Sequence, residues 1–331
     1  MALKNKQLLL VGIETTYGTP ATLVGANAVQ TGDINITPLA GDTVQRNIIK
    51  PFFGNSQSMM VTSYVTIDFE VELGCSATVG TAPQFNALLR ACGFTQLLPA
   101  DSGGTAGSVI YLPHTLSSVT EGGTSATIFF QRDGIKHTLT GARGTVSFDL
   151  TVKQLPKMKF TMTGLFGAIT DSELSLVAGV NYTHKQPLAV SSANTSAISI
   201  HGYTPMMESF TFDMANDVKY RALVGGAGSE TVIISDRKPK GNIKIEAPAL
   251  EAGAAGTFKN FFTIAKNSEL GNFSITHGTE TGNKIKFEAA TNGLGIEAPK
   301  YGDNEGVVML DMGLTFIPTA AGNDEIKITF S

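Results

Sequence analysis

Five histidines, two cysteines and 28 acidic side chains are the groups in this 331-residue chain with the most scope for chemistry. His114, His137, His184, His201 and His277 are scattered, and no two of them form the H-x-x-x-H spacing that brings two metal ligands onto one helix face. Each reads as a turn or surface residue. Cys75 ends a strand pattern and Cys92 lies on an apolar helix face, so both read as buried structural thiols, not nucleophiles. No G-x-S-x-G elbow and no G-x-x-x-x-G-K-[ST] loop occurs. Gly225-Gly226-Ala227-Gly228 leads into a strand pattern, where no helix dipole would hold a phosphate. Asp68, Glu70 and Glu72 resemble an acid set, but three acids on one strand face usually make a solvated, self-repelling surface. The residues therefore point to no catalysis, no metal and no cofactor.

Charge excludes a second class. Lys and Arg number 24 against 28 Asp and Glu, a net charge of −4. Nonspecific nucleic-acid binding needs clustered cations to neutralise phosphates. The densest basic stretches, 236–240 and 153–159, fall at strand edges or turns. Lys4 and Lys6 precede the apolar run Leu8 to Val11, which Glu14 soon follows; the run is shorter than a secretory core needs and lacks a cleavage site. No uncharged apolar run approaches the ~20 residues that span a bilayer, so membrane insertion is not expected. Two cysteines are too few for a disulfide framework, so reduced thiols and cytoplasmic synthesis are expected, with the triplets at Asn181, Asn194 and Asn272 chance glycosylation matches. An apolar content of 42% excludes disorder. With 36 Gly and 16% charged residues, the composition suits a turn-rich β protein.

Strict alternation, the mark of half-buried strands, dominates the chain. Val65, Ile67, Phe69, Val71 and Leu73 alternate with Thr66, Asp68, Glu70 and Glu72. The same pattern recurs at 145–152, 158–162, 210–214, 243–245, 310–316 and 326–330. Gly, Asn and Asp punctuate these runs, where positive φ makes tight turns cheap. Two stretches read as helix. In 83–92, Phe85, Leu88, Leu89 and Cys92 share one face, Thr81 and Gln84 suggest a capping box, and Gly93 suits the C-terminal cap. In 257–266, Phe258, Phe261, Phe262 and Ala265 have the same spacing.

Those two helices repeat at a constant separation of 173 residues. Phe69-Glu70-Val71 matches Ile243-Lys244-Ile245 at 174, and Ile34-Asn35-Ile36 matches Phe210-Thr211-Phe212 at 176. Met158 to Met162 matches Ile326 to Phe330 at 168. Four matches in one order predict a tandem duplication: an arm at 1–30, a first module at 31–165, a connector at 166–205 and a second module at 206–331. The period is far too long for a solenoid, where units run ~20–50 residues. The fold expected is mainly β, two sandwich or barrel modules, each flanked by one short helix.

Glu14-Thr15-Thr16-Tyr17-Gly18-Thr19-Pro20-Ala21 resembles the opening of many tail tube (major tail) proteins of long-tailed, non-contractile phages. The resemblance runs on through Asp42 to Arg46 and Val71-Glu72-Leu73-Gly74. It ends at the helix Phe85 to Gly93, with its aromatic, Leu pair and small-Cys-Gly close. It implies a structural protein that polymerises into stacked rings, the tube through which phage DNA leaves, with no catalytic residue. It also implies ring neighbours that pair strands so that an inner sheet closes into a barrel. Single-module members make six-membered rings; two modules per chain favour a trimeric ring with pseudo-sixfold symmetry. The implied partners are further copies of the chain, tail terminator and tail tip proteins, a tape measure protein inside the tube, and double-stranded DNA passing without specific binding. The implied location is the virion tail, assembled in the host cytoplasm.

Within that frame Asp68, Glu70, Glu72 and Glu246 are candidate lumen residues, the alternative being a solvated outer face. Phe52 and Phe53, adjacent aromatics in the predicted loop 46–57, are candidate contacts to a neighbouring module or the next ring, the alternative being a folded-back loop. Tyr17 joins them as a candidate contact, and the Gly/Thr-rich arm is expected to order on assembly. Two other readings compete. An adhesin or carbohydrate-binding pair of sandwiches would want an aromatic platform, yet the chain has no Trp and seven Tyr. An enzyme with a converged site is disfavoured by the scattered histidines.

Overall fold

The computed structural model describes residues 6–76, 78–98, 107–114, 124–171, 179–195, 197–225, 229–250 and 258–331. β1 (Gln7–Ile13), β2 (Ala28–Val29) and β3 (Ile34–Ala40) lead to a hairpin of β4 (Thr43–Gln45) and β5 (Ser58–Met60). β6 (Tyr64–Glu72), helix α1 (Asn86–Ala91), β7 (Phe94–Leu97), β8 (Val109–Pro113), β9 (Ala126–Arg132), β10 (Ile135–Thr151) and β11 (Lys157–Asp171) follow. Next come β12 (Ala197–Ile200), β13 (Met207–Asp213), a hairpin of β14 (Asn216–Ala222) and β15 (Glu230–Arg237), and β16 (Lys240–Glu246). Helix α2 (Phe261–Lys266), β17 (Phe273–His277), β18 (Ile285–Ala289), β19 (Leu294–Ile296), β20 (Lys300–Asn304), β21 (Val307–Phe316) and β22 (Ile326–Phe330) complete the chain. The protein is mainly β, as expected.

A twelve-stranded antiparallel sheet runs in the order β19-β21-β16-β13-β10-β11-β6-β3, with β20 also on β21 and with β9, β1 and β2 branching from β10. A six-stranded sheet, β12-β17-β18-β22-β8-β7, packs across it. Each strand sends one side chain set inward because its period is two. Phe148 and Phe210 of the large sheet meet Phe273 and Phe287 of the small one, with ring centroids 5.1 Å apart for Phe210–Phe273 and 5.2 Å for Phe148–Phe287. One continuous buried cluster joins both halves of the chain.

Several expectations change. β11 and β22, matched in the sequence, lie in different sheets: β11 pairs with β6, while β22 sits between β18 and β8. Alternation alone could not separate them, because both are half-buried strands. The strand in β11's place is β21, since Phe160 opposes Phe69 and Met312 opposes Ile243. The 166–205 stretch is no plain connector: it starts inside β11 and holds β12, which pairs with β17. Nor does all of the 1–30 arm wait for assembly, because β1 lies between β2 and β9 with Leu8 to Val11 buried. A strand covered on both faces reads as a continuous apolar run, which hides it from an alternation test.

The helices are shorter than expected. α1 begins at Asn86 with no side-chain cap; Thr81 Oγ1 donates to Thr78 O and Gln84 Nε2 to Asn181 O, so the capping box is not made. Gly93 does take a left-handed φ of 85° after the helix. α2 is capped by Asn260, whose side chain accepts from Thr263 N at 3.0 Å. It buries Phe261 and Ile264, leaving Phe258 outside the helix, while Thr257 lies outside the described residues.

His277, expected at a turn or surface, is buried on β17. Leu188 O can only accept, so Nε2 donates to it at 2.9 Å, and Nδ1 accepts from Thr195 Oγ1 at 2.7 Å. This neutral imidazole ties the segment before β12 to the small sheet.

Burial lowers the pKa of His277, and burial is also the leading cause of the lowered values at His137, His184 and His201. Below the ordinary histidine value of about 6.5 the unfolded chain therefore binds more protons than the native one, so stability rises with pH. The contribution is whole above about 6.5 and lost as pH falls below it; denaturation midpoints followed from pH 7 towards pH 5.5 should decline. A shared core predicts one unfolding transition, with Phe287→Ala destabilising by about 3–5 kcal/mol and moving that single transition. Calorimetry resolving two independent transitions would contradict it.

Candidate functional site

The large sheet ends in two open margins. At one, β3 pairs only with β6 among the described strands; Ile34 opposes Phe69 and Ile36 opposes Ile67, so both point to the core side, yet both are only half-buried. At the other, β19 and β20 lie along one side of β21; Leu294 of β19 exchanges backbone bonds with Gly271, so the open border there is β20. Tyr301 opposes the buried Leu310 but is 69% exposed, and Val308, opposite Asp303, is 52% exposed. Unpaired strand borders with core-side apolar groups still wet are a template for pairing with another chain.

The interior of the same sheet contains a comparable border already closed. The end of β10 pairs antiparallel with β13, from Ser147 opposite Asp213 to Thr151 opposite Ser209. There Phe148 and Phe212 are fully buried, their centroids 5.9 Å apart. The β14–β15 hairpin reinforces this seam by lying over β10 and β11. Asn216 Nδ2 donates to Cys92 O at 2.7 Å and Gly144 O at 2.9 Å, and Tyr220 stacks on Tyr64 at 5.0 Å. Val232 N donates to Tyr17 Oη at 2.6 Å, and Arg143, whose guanidinium lies 4.8 Å from the Tyr17 ring centre, donates to Val232 O. Tyr17 thus touches the hairpin within its own chain, and burial raises its pKa.

Beneath Tyr17 lies a residue the sequence reading did not single out. Glu14 is buried, and its carboxylate accepts from Gly18 N (2.9 Å), Ser125 Oγ (2.7 Å), Thr127 Oγ1 (2.9 Å) and Gly141 N (2.8 Å). A buried carboxylate is tolerable only when its oxygens are so occupied. Gly141 is required beneath it: its φ is 58°, and a Cβ there would stand 2.7 Å from the Tyr17 ring. The Glu14-to-Ala21 segment therefore fastens β1 and β10 and carries the seat for the hairpin.

The face of the large sheet away from the core is polar. Asp68, Glu70 and Glu72 alternate along β6 on this face, and Glu246 ends β16 on it, four strands across, or about 19 Å away at ~4.8 Å per strand. The acids are not an isolated set. Asp68 accepts from Thr161 Oγ1 at 2.7 Å, and Glu70 pairs with Lys157 at 3.1 Å. Asp149, Lys159, Asp213 and Lys240 join Glu70 and Lys157 around a trough of about 520 Å³. The surface is mixed in sign.

Phe52 and Phe53 sit in the 46–57 loop, as expected, which here forms the tip of the β4–β5 hairpin. Phe52 is 67% exposed with Lys50 Nζ 5.9 Å from its ring, and Phe53 is fully exposed. Val44, Ile48, Ile49, Met59 and Met60 on the same hairpin are exposed too. The legible signal was the apolar Met59-Met60-Val61 run.

Cys75 and Cys92 are buried free thiols, as expected; burial pushes Cys75 up to about 11 and Cys92 higher still. Among the described residues no group of three His, Cys, Asp or Glu could hold a metal ion, and no helix is long and apolar enough to cross a membrane.

Glu14→Gln leaves buried donors facing an amide NH₂ and should cost about 2–3 kcal/mol. Denaturant unfolding checks this, with exposed Glu70→Gln expected within about 0.5 kcal/mol of the parent.

No curated protein matches the chain. A family model described as phage tail tube protein matches residues 4–330, nearly its whole length. The chain belongs to the phage tail tube protein family, structural components of the virion tail.

Proposed function

We propose that copies of this chain join head to tail in a closed ring, that rings stack into a hollow tube, and that phage DNA leaves through it. The observation that carries this reading is the pair of unlike open margins, β3 and β20, at opposite ends of one sheet. Unlike borders make a head-to-tail contact, which closes into a ring when the rotation allows. Closure covers the half-wet Ile34, Ile36, Tyr301 and Val308.

Internal repetition supports three chains per ring with pseudo-sixfold symmetry, built from modules at 31–165 and 206–331. Ile34 pairs with Phe69 just as Phe210 pairs with Ile243, the equivalents named from sequence. Eight strands follow one another across the sheet. Three copies would supply about 24, and at ~4.8 Å spacing and ~40° tilt the barrel is roughly 48 Å across between backbones. Barrels of about 16–18 strands already leave an aqueous channel.

The polar face turns inward. The other face carries the small sheet, and a second layer ~10 Å away inside a radius of about 24 Å would fill the passage. Asp68, Glu70, Glu72 and Glu246 then line the lumen among Lys157, Lys159 and Lys240. Mixed charge offers no field that would hold phosphates, so DNA slides. The apolar hairpin with Phe52 and Phe53 docks on a neighbouring copy in the ring or the next ring. Tyr17 acts from within its chain by seating the internal hairpin. Terminator and tip proteins cap the ends, a tape measure protein occupies the lumen before DNA, and assembly takes place in the host cytoplasm.

Negative-stain microscopy of concentrated protein should reveal long hollow tubes, and native mass measurement of a detached ring should give three chains. Persistent monomers would reject the reading. Phe52→Ser with Phe53→Ser should reduce tube yield by about ten-fold with an unchanged monomer melting temperature, because the lost contact is exposed in the monomer; undiminished yield would remove these residues from the contact.

A further inference from the structure

The junction between successive copies has a template inside the chain, because the seam between β10 and β13 joins the same two kinds of border. β13 stands in the place of β3, with Phe210 for Ile34 and Phe212 for Ile36. The border across from them also has a counterpart. Phe148 opposes Met158, and Tyr301 opposes Leu310. Met158 in turn opposes Val71, and Leu310 opposes Ile245, which follow Phe69 and Ile243 by the same two positions. Tyr301 therefore occupies the place of Phe148, and β20 that of the end of β10.

We propose, on the basis of the head-to-tail ring above, that β3 of one copy pairs antiparallel with β20 of the next in the register of the internal seam. Phe148 opposite Phe212 becomes Tyr301 opposite Ile36; Asp149 opposite Thr211 becomes Gly302 opposite Asn35; Ser147 opposite Asp213 becomes Lys300 opposite Thr37. The β4–β5 hairpin lies over β19 and β21 of that next copy, as β14–β15 lies over β10 and β11.

Three observations support this register. Burial is the first: Phe148 and Phe212 are closed over, while Tyr301 is 69% exposed and Ile36 half-buried, the state expected of the same row lacking its partner. Proline is the second. Pro38 follows Thr37 and Pro299 precedes Lys300, so each strand loses its N–H donor at the same end of the ladder, where Lys300 and Thr37 face each other. The hairpins are the third. Val232 and Ile234 of β15 are buried against the other half of the chain, whereas every residue of β4 and β5 is exposed. One departure is local: Asp303 replaces Leu150 and turns to accept from Gly306 N at 3.4 Å.

Cysteine pairs read the register in assembled protein. Asn35→Cys with Gly302→Cys, and separately Thr37→Cys with Lys300→Cys, should oxidise to a ladder of linked chains ending at the covalent ring. A Cβ at Gly302 meets nothing nearer than 3.4 Å, and Cys75 and Cys92 are buried. The swapped combination, Asn35→Cys with Lys300→Cys, is two residues out of step. Its Cα atoms would be about 8 Å apart, beyond disulfide reach, so its yield should be about ten-fold lower. Linking of the swapped pair, or of none, in tubes that still form would overturn the register and leave the ring reading standing. If the unmodified chain makes no ring or tube, the ring reading fails and this inference with it.

Discussion

A strand at the margin of a sheet leaves half its peptide groups without partners, and that demand organises this protein. Within the chain it is met by an unusually long strand. β10 takes β9 along one part of a side and β13 along the rest, and so joins two halves into one sheet. Bulges between His137 and Leu139 and between Thr140 and Arg143 let the strand bend away where the two partners part. The outer margins are left as β3 and β20. Ile34, Ile36 and Tyr301 stand ready as an apolar row, and the charge on that row, Asp303, is turned towards Gly306 N.

Two devices keep the sheet stiff enough to present those margins. The first is the aromatic stack between layers, where Phe210 and Phe148 both meet Phe287 and Phe316 meets Phe273. The second is the Glu14 carboxylate, which gathers donors from Gly18, Ser125, Thr127 and Gly141. That carboxylate holds Tyr17 where its hydroxyl oxygen accepts from Val232 N, so a buried charge near the N-terminus positions a hairpin from the far half of the chain.

Alternating residues made β6, β10, β11, β13, β16, β21 and β22 legible, because a half-buried strand writes its two faces into the sequence. The same period could not say which sheet a strand joins, and so matched β11 with β22. Partner choice depends on long-range packing, and β21 held the equivalent place. β1 was hidden because both its faces are covered, and His277 because its partners, Thr195 and the Leu188 carbonyl, lie far away along the chain. The acidic row on β6 was readable, but its neutralising neighbours Lys157 and Lys159 come from a strand whose pairing was not. Open margins leave almost no local trace; Pro38 and Pro299 were the readable marks, and they gain meaning only once the register is known.

The small sheet imposes an order in time. β22 lies between β18 and β8, and its Phe330 packs on Phe85 and Tyr111, which the ribosome delivers long before. The nascent first half therefore waits with an unfinished outer layer, and its completion is postponed until the far strand emerges. Vectorial synthesis thus works as a timer, holding back a rigid, wall-ready subunit until nearly all of the polypeptide described here has been made.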